Sequence, residues 1–163
     1  MTNDRSFRNK KALDVGTMLA RWLLGALFLY MGLSKALDPV EFLKLVREYD
    51  VAHAAWVLNS IGALLPWFEV ICGLLLLTGI AVRGTALMLV LMLVPFTVLV
   101  VQRALGIQTA QAIPFCAVKF DCGCGTGEVF ICRKLLENFI LTAISIWLLF
   151  GRGRIFCARY SFV

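Results

Sequence analysis

Four long apolar runs constrain this sequence more than any other feature: 15–36, a second from 65 to the residue before Arg83, 85–105 and 135–150. A helix needs about 20 residues to cross the hydrocarbon of a bilayer, and the runs approach or reach that length. With 61% of its residues apolar and 16% charged, the chain is far from a soluble domain, which has roughly 45–50% and 25%. It is also too rich in Leu, Val, Ile and Phe to be disordered. The expected fold is all-α, a polytopic membrane protein built as a four-helix transmembrane bundle. Residues 15–151 form one membrane domain, 1–14 a cytoplasmic basic head and 152–163 a cytoplasmic tail, with outer loops at about 37–64 and 106–134.

The first run follows Arg5, Arg8, Lys10 and Lys11 and reads as a retained helix. A secretory signal would be shorter and would end in a small-residue cleavage site, which Gly-Leu-Ser-Lys at 32–35 does not supply. Asp38 and Pro39 stop the helix, since proline cannot continue the hydrogen-bond ladder and biases its predecessor to extended geometry. Between 40 and 59, Phe42, Leu43 and Val46 fall on one side and Glu41, Lys44, Arg47, Glu48 and Asp50 around the other. That pattern predicts an amphipathic helix on the membrane surface, with His53 and Trp56 near its end and His53 an interfacial polar residue. Pro66 suits the first turn of the second span, where its missing N–H goes unused. Pro95 predicts a kink in the third, and Cys132, Arg133 and Lys134 form the first turn of the short fourth span.

Basic residues set the orientation. Arg5, Arg8, Lys10, Lys11, Arg83, Arg152, Arg154 and Arg159 fall on one side, against Lys44, Arg47, Lys119, Arg133 and Lys134 on the other. Positive charge stays inside, which puts both termini in the cytoplasm of a bacterial inner membrane and both long loops outside. The net charge of +6 then serves topology rather than nucleic acid, because no basic stripe interleaves with aromatic residues.

Six cysteines divide by compartment. Cys72 lies in the second span and Cys157 in the inner tail, whereas Cys116, Cys122, Cys124 and Cys132 share the outer, oxidising side. At 121–125 the chain reads Asp-Cys-Gly-Cys-Gly, and the glycines let the backbone fold the two sulfurs together. A bridge between residues two apart is strained and easily passed on, the property of a dithiol exchanger. Four cysteines allow three pairings that spacing does not rank, and Cys116 with Cys132 is one candidate structural disulfide. A metal site is disfavoured, because C-x5-C-x-C-x7-C lacks the two-residue ligand spacings and no histidine is near.

Ionisable residues near hydrocarbon are functional candidates by default. Lys35 closes the first span and Glu69 opens the second on the same outer side, so they meet at similar depth. They either lock two helices as an ion pair or serve the dithiol, Lys35 favouring the thiolate and Glu69 carrying its proton. Arg21, near the cytoplasmic end of the first span, is expected to snorkel to the inner headgroups. Glu137 is favoured at a helix N-terminus by the macrodipole.

The run Arg21, Gly25, Phe28, Gly32, Lys35, Asp38-Pro39, Phe42, then Pro66, Glu69, Gly73, Gly79, Arg83, then Asp121-Cys122-Gly123-Cys124-Gly125 resembles the DoxX-like superfamily, and within it the MauE (methylamine utilisation) branch. The resemblance covers about 21–150. It implies a four-helix inner-membrane bundle that works beside a thioredoxin-like partner in maturing a periplasmic, disulfide-rich amine dehydrogenase. It also implies that Cys122 and Cys124 are the redox pair, with Lys35 and Glu69 in the helix motifs. The chain departs from many relatives in Gly125-Thr126-Gly127 and in having Cys116 and Cys132. The function expected is thiol-disulfide exchange with a periplasmic partner. The competing expectation is a non-enzymatic membrane subunit with structural disulfides, within a larger complex or homo-oligomer. Quinone is a candidate onward electron carrier, with Trp67, Phe68, Pro95 and Phe96 available to line a pocket that no motif marks.

Overall fold

The structure is a computed structural model and describes residues 2–49, 55–123 and 127–151. Inside lipid every backbone amide must find a partner within the chain, and the apolar runs accordingly become long helices. α1 spans Thr2–Leu37, α2 Pro39–Glu48, α3 Ala55–Thr78 and α4 Val82–Gln111. A 3-10 turn at Phe115–Ala117 leads into strands β1 (Lys119–Asp121) and β2 (Glu128–Phe130), and α5 runs Ile131–Phe150. Three helices among the described residues are long and apolar enough to cross a membrane, at Leu13–Leu37, Trp56–Thr78 and Val82–Gln111. α5 has 20 residues and carries Arg133, Lys134 and Glu137 in its first two turns.

The helices associate as two tight pairs, α3 on α1 and α5 on α4, while α3 and α4 meet along little of their length. Without a hydrophobic drive between helices in lipid, close approach of backbones supplies the packing, and small residues permit it. A Cβ on Gly25 would sit 2.9 Å from the Gly73 carbonyl, and one on Gly73 2.8 Å from the Gly25 carbonyl. Further along the same seam, a Cβ on Gly32 would lie 2.7 Å from the Pro66 carbonyl and 2.8 Å from the Val70 amide. Leu24, Phe28, Leu76, Leu89 and Leu148 fill the centre where the pairs join.

Several boundaries differ from those expected. The helix of the first span begins at Thr2, so the basic head continues it. α2 ends at Glu48, and Trp56 and Asn59 belong to α3 rather than to a surface helix. Pro66 sits in mid-helix rather than at a first turn, fully buried against α1. Packing outweighs the proline signal here, because Gly32 lets α1 lie directly on that turn. α2 keeps Phe42 and Val46 buried and Glu41, Lys44, Arg47 and Glu48 exposed. The Asp38 carboxylate accepts from the Glu41 amide at 3.2 Å and caps its N-terminus.

The loop expected at about 106–134 is shorter, since α4 extends to Gln111, and it contains an antiparallel hairpin. Lys119 pairs with Phe130, Phe120 with Val129 and Asp121 with Glu128. A disulfide joins Cys116 to Cys132, with Cα atoms 5.1 Å apart, and pins the start of the hairpin to the first turn of α5. At the other end of the bundle, residues 79–81 turn α3 into α4 with Gly79 at φ 73°. There Arg83 donates to the Gly151 carbonyl at 3.4 Å. Position 53 and the tail at 152–163, with Cys157 and the three tail arginines, lie outside the described residues.

Candidate functional site

The face of α1 that carries Gly25, Phe28 and Gly32 brings Lys35 into line one turn later, and the face of α3 with Pro66 and Gly73 carries Glu69 between them. The glycine seam therefore sets the two side chains against each other. Lys35 Nζ donates to both Glu69 oxygens, at 2.5 and 2.7 Å, and both residues are buried. The same ammonium stands 5.4 Å from the centre of the Phe42 ring, so α2 covers the pair from above.

The hairpin loop reaches this place through its backbone. Gly123 adopts φ 73°, a conformation that favours glycine, and its amide donates to Asp121 Oδ1 at 2.8 Å. Gly123 thereby lies over Phe42 and Leu45 of α2, either of which a Cβ would meet at 3.8 Å. The Tyr49 hydroxyl donates to the Cys122 carbonyl at 3.1 Å, tying the loop to the end of α2. Arg103 of α4 donates to Glu48 at 2.7 Å and also to its backbone carbonyl, which fastens α2 on its other side. These contacts leave Cys122 1% exposed. Position 124 lies outside the described residues.

Between the two helix pairs, beneath α2 and the loop, is a cavity of about 290 Å³. Lys35, Glu69, Cys122, Lys134 and Asn138 all line it among apolar side chains. Lys134 is 4% exposed, with its Nζ 3.7 Å from Glu137 Oε2 and near enough to Glu69 to act on it electrostatically. Two lysines and one glutamate line the cavity, with Glu137 beside Lys134 as the second counter-charge, so ammonium donors and a carboxylate face one water-poor space. Outside the spans, the hydrogen bond to Glu41 at 2.9 Å holds the exposed Lys44 ammonium above its ordinary pKa. Surface pairs of this kind add little stability.

Lys35, Glu69 and Cys122, all singled out from sequence, thus share one cavity, whereas Cys116 and Cys132 form a disulfide and are not among its lining residues. Pro95 and Phe96 line the cavity, whereas Trp67 is 59% exposed and Phe68 also faces outward. The phase of α3 explains this, because a face bearing Pro66, Glu69 and Gly73 turns 67 and 68 to the opposite side. Arg21 is buried at 2% exposure rather than snorkelling, since it falls on the same inward face of α1 as Gly25 and Phe28.

Sequence reasoning missed Lys134 and Asn138 as parts of one site. Their signal was the i, i+3, i+7 spacing of buried Ile131, Lys134, Asn138, Ser145 and Leu148 along α5.

No curated protein and no solved structure matches the chain. Residues 13–151 match the family described as methylamine utilisation protein MauE. The match takes in all of α3, α4, α5 and the hairpin, and α1 from the start of its apolar stretch. The chain is a multi-pass membrane protein that belongs to the MauE family.

Proposed function

We propose that this is an inner-membrane thiol-disulfide redox protein whose Cys122 and Cys124 exchange disulfides with a periplasmic thioredoxin-like or disulfide-rich protein. α1, α3, α4 and α5 are its four spans, α2 lies along the outer surface, and both termini are cytoplasmic. The placement of Cys122 carries the reading, since its side chain lines a cavity that also holds Lys35, Glu69 and Lys134.

With Cys122 buried, a soluble partner enters through Cys124. A partner thiolate attacks the Cys124 sulfur of the Cys122–Cys124 disulfide, forms a mixed disulfide and releases Cys122 as a thiolate. The two lysines make Cys122 the better leaving group, because a stabilised thiolate departs faster. The partner's second thiolate then attacks its own half of the mixed disulfide and frees Cys124. The partner leaves oxidised and the protein reduced, and run in reverse the same steps reduce a partner. The family's methylamine utilisation name supports an amine dehydrogenase as the partner being matured.

The Cys116–Cys132 disulfide favours a second reading, a membrane scaffold whose bridges are structural. Thiol trapping read by mass separates the two. Cys122→Ser is expected to abolish oxidation of a reduced thioredoxin while the amount of protein in the membrane stays unchanged. A pair at 122 and 124 that resists dithiothreitol, or equal loss of protein and exchange, supports the scaffold instead.

A further inference from the structure

Asn138 is 1% exposed, and its hydrogen bonds fix which atom of its amide is left over. The Thr97 hydroxyl gives its single proton to the Leu93 carbonyl at 2.7 Å, so it meets Asn138 as an acceptor. Asn138 Nδ2 must then be the donor of their 3.1 Å bond. Asn138 Oδ1 is thus an acceptor on a cavity-lining residue that receives no hydrogen bond from any described residue. Lys35 and Lys134 bring donors to the same cavity and Glu69 a second acceptor, while Tyr49 and Phe96, with ring centres 6.4 Å apart, give it aromatic walls.

Leu91 lines the cavity and is also 58% exposed on a membrane-spanning helix, so the cavity is continuous with the surface that meets lipid. At about 290 Å³ it lies at the lower end of small-molecule sites, the size for a substituted ring whose tail stays outside. The ligand that fits is flat, has oxygens able both to accept and to donate, and reaches the site from the bilayer.

Resting on the exchange reading of Cys122 and Cys124, we propose that the cavity binds a lipid-soluble quinone, which accepts the electrons of that dithiol. Two thiols become one disulfide, and two electrons and two protons pass to the ring. Its two carbonyl oxygens become the hydroxyls of a hydroquinone. The quinone carbonyls accept from the lysines, and a hydroquinone O–H supplies the donor that Asn138 Oδ1 lacks. A phospholipid acyl chain would fill the apolar walls and leave that oxygen as it is.

The test uses the full chain in dodecyl maltoside micelles and, as probe, a dimethoxy-methyl-benzoquinone with a decyl tail. Titration calorimetry against Cys122→Ser, which cannot react, is expected to show saturable binding at one site. Adding Asn138→Leu or Leu91→Trp to that variant is expected to weaken binding about tenfold, the first by removing a hydrogen-bonding group and the second by bulk at the lipid-facing mouth. Leu91→Trp changes an exposed position and so keeps the test valid if Asn138→Leu misfolds. Absence of saturable binding, equal affinity in all variants, or displacement by an equimolar amount of phosphatidylcholine overturns the assignment. So does failure of the reduced wild-type protein to convert the probe to hydroquinone. Loss of exchange with thioredoxin while quinone binding and reduction persist falls on the exchange reading and leaves the cavity assignment supported.

Discussion

A lysine and a glutamate enclosed between helices depend on each other, because either one alone would be a buried charge without its counterpart. Removing one partner of such a pair costs about 3–5 kcal/mol, whereas replacing both with apolar groups of similar volume is often neutral. Lys35→Met and Glu69→Met are each expected to destabilise the protein by that amount. Lys35→Met with Glu69→Met is expected to recover most of the loss, as read by unfolding in mixed micelles. Purely additive losses would show that the pair is not coupled. The Lys35–Glu69 meeting was legible from sequence, since both residues stand at the same-side ends of apolar runs. Lys134 was not, because a basic residue at the start of a span already has an ordinary explanation in topology.

At the scale of elements, the α1–α3 contact rests on backbone touching backbone. A side chain at Gly32 would press on the Pro66 carbonyl and the Val70 amide, neither of which can swing aside. Gly32→Val is expected to cost about 1–3 kcal/mol, the usual range for overpacking, and to loosen the ion pair one turn away. Gly84→Ala, where nothing lies within 4 Å, is expected to leave thermal unfolding in detergent unchanged or slightly raised, alanine being the better helix former. Equal effects at the two positions would show that the seam is not tight. The helices were readable because lipid forces long apolar runs into one conformation. The hairpin was not, since strands of three residues are too short to carry an alternating pattern. Pro66 misled for a related reason, as a proline reads locally as a helix start and only the opposite helix reveals that the turn before it is also helical.

For the whole molecule, α2, the hairpin and the first turn of α5 gather at one end, and the 79–81 turn and Gly151 at the other. In the orientation proposed above from the charge bias, the first end faces outside. Glu128→Cys, in a background with the other cysteines replaced by serine, is expected to react with an impermeant maleimide in intact spheroplasts, and Arg83→Cys only after lysis. The reverse pattern would invert the protein and rule out the periplasmic partner proposed above. The pairwise packing of α1 with α3 and of α4 with α5 carries one more implication. Each half of the polypeptide buries most of its own interface before it meets the other, and a single short turn links them. The pocket is then a seam between two helix pairs, and a guest of the kind proposed there would act as a wedge whose size sets how far the pairs stand apart.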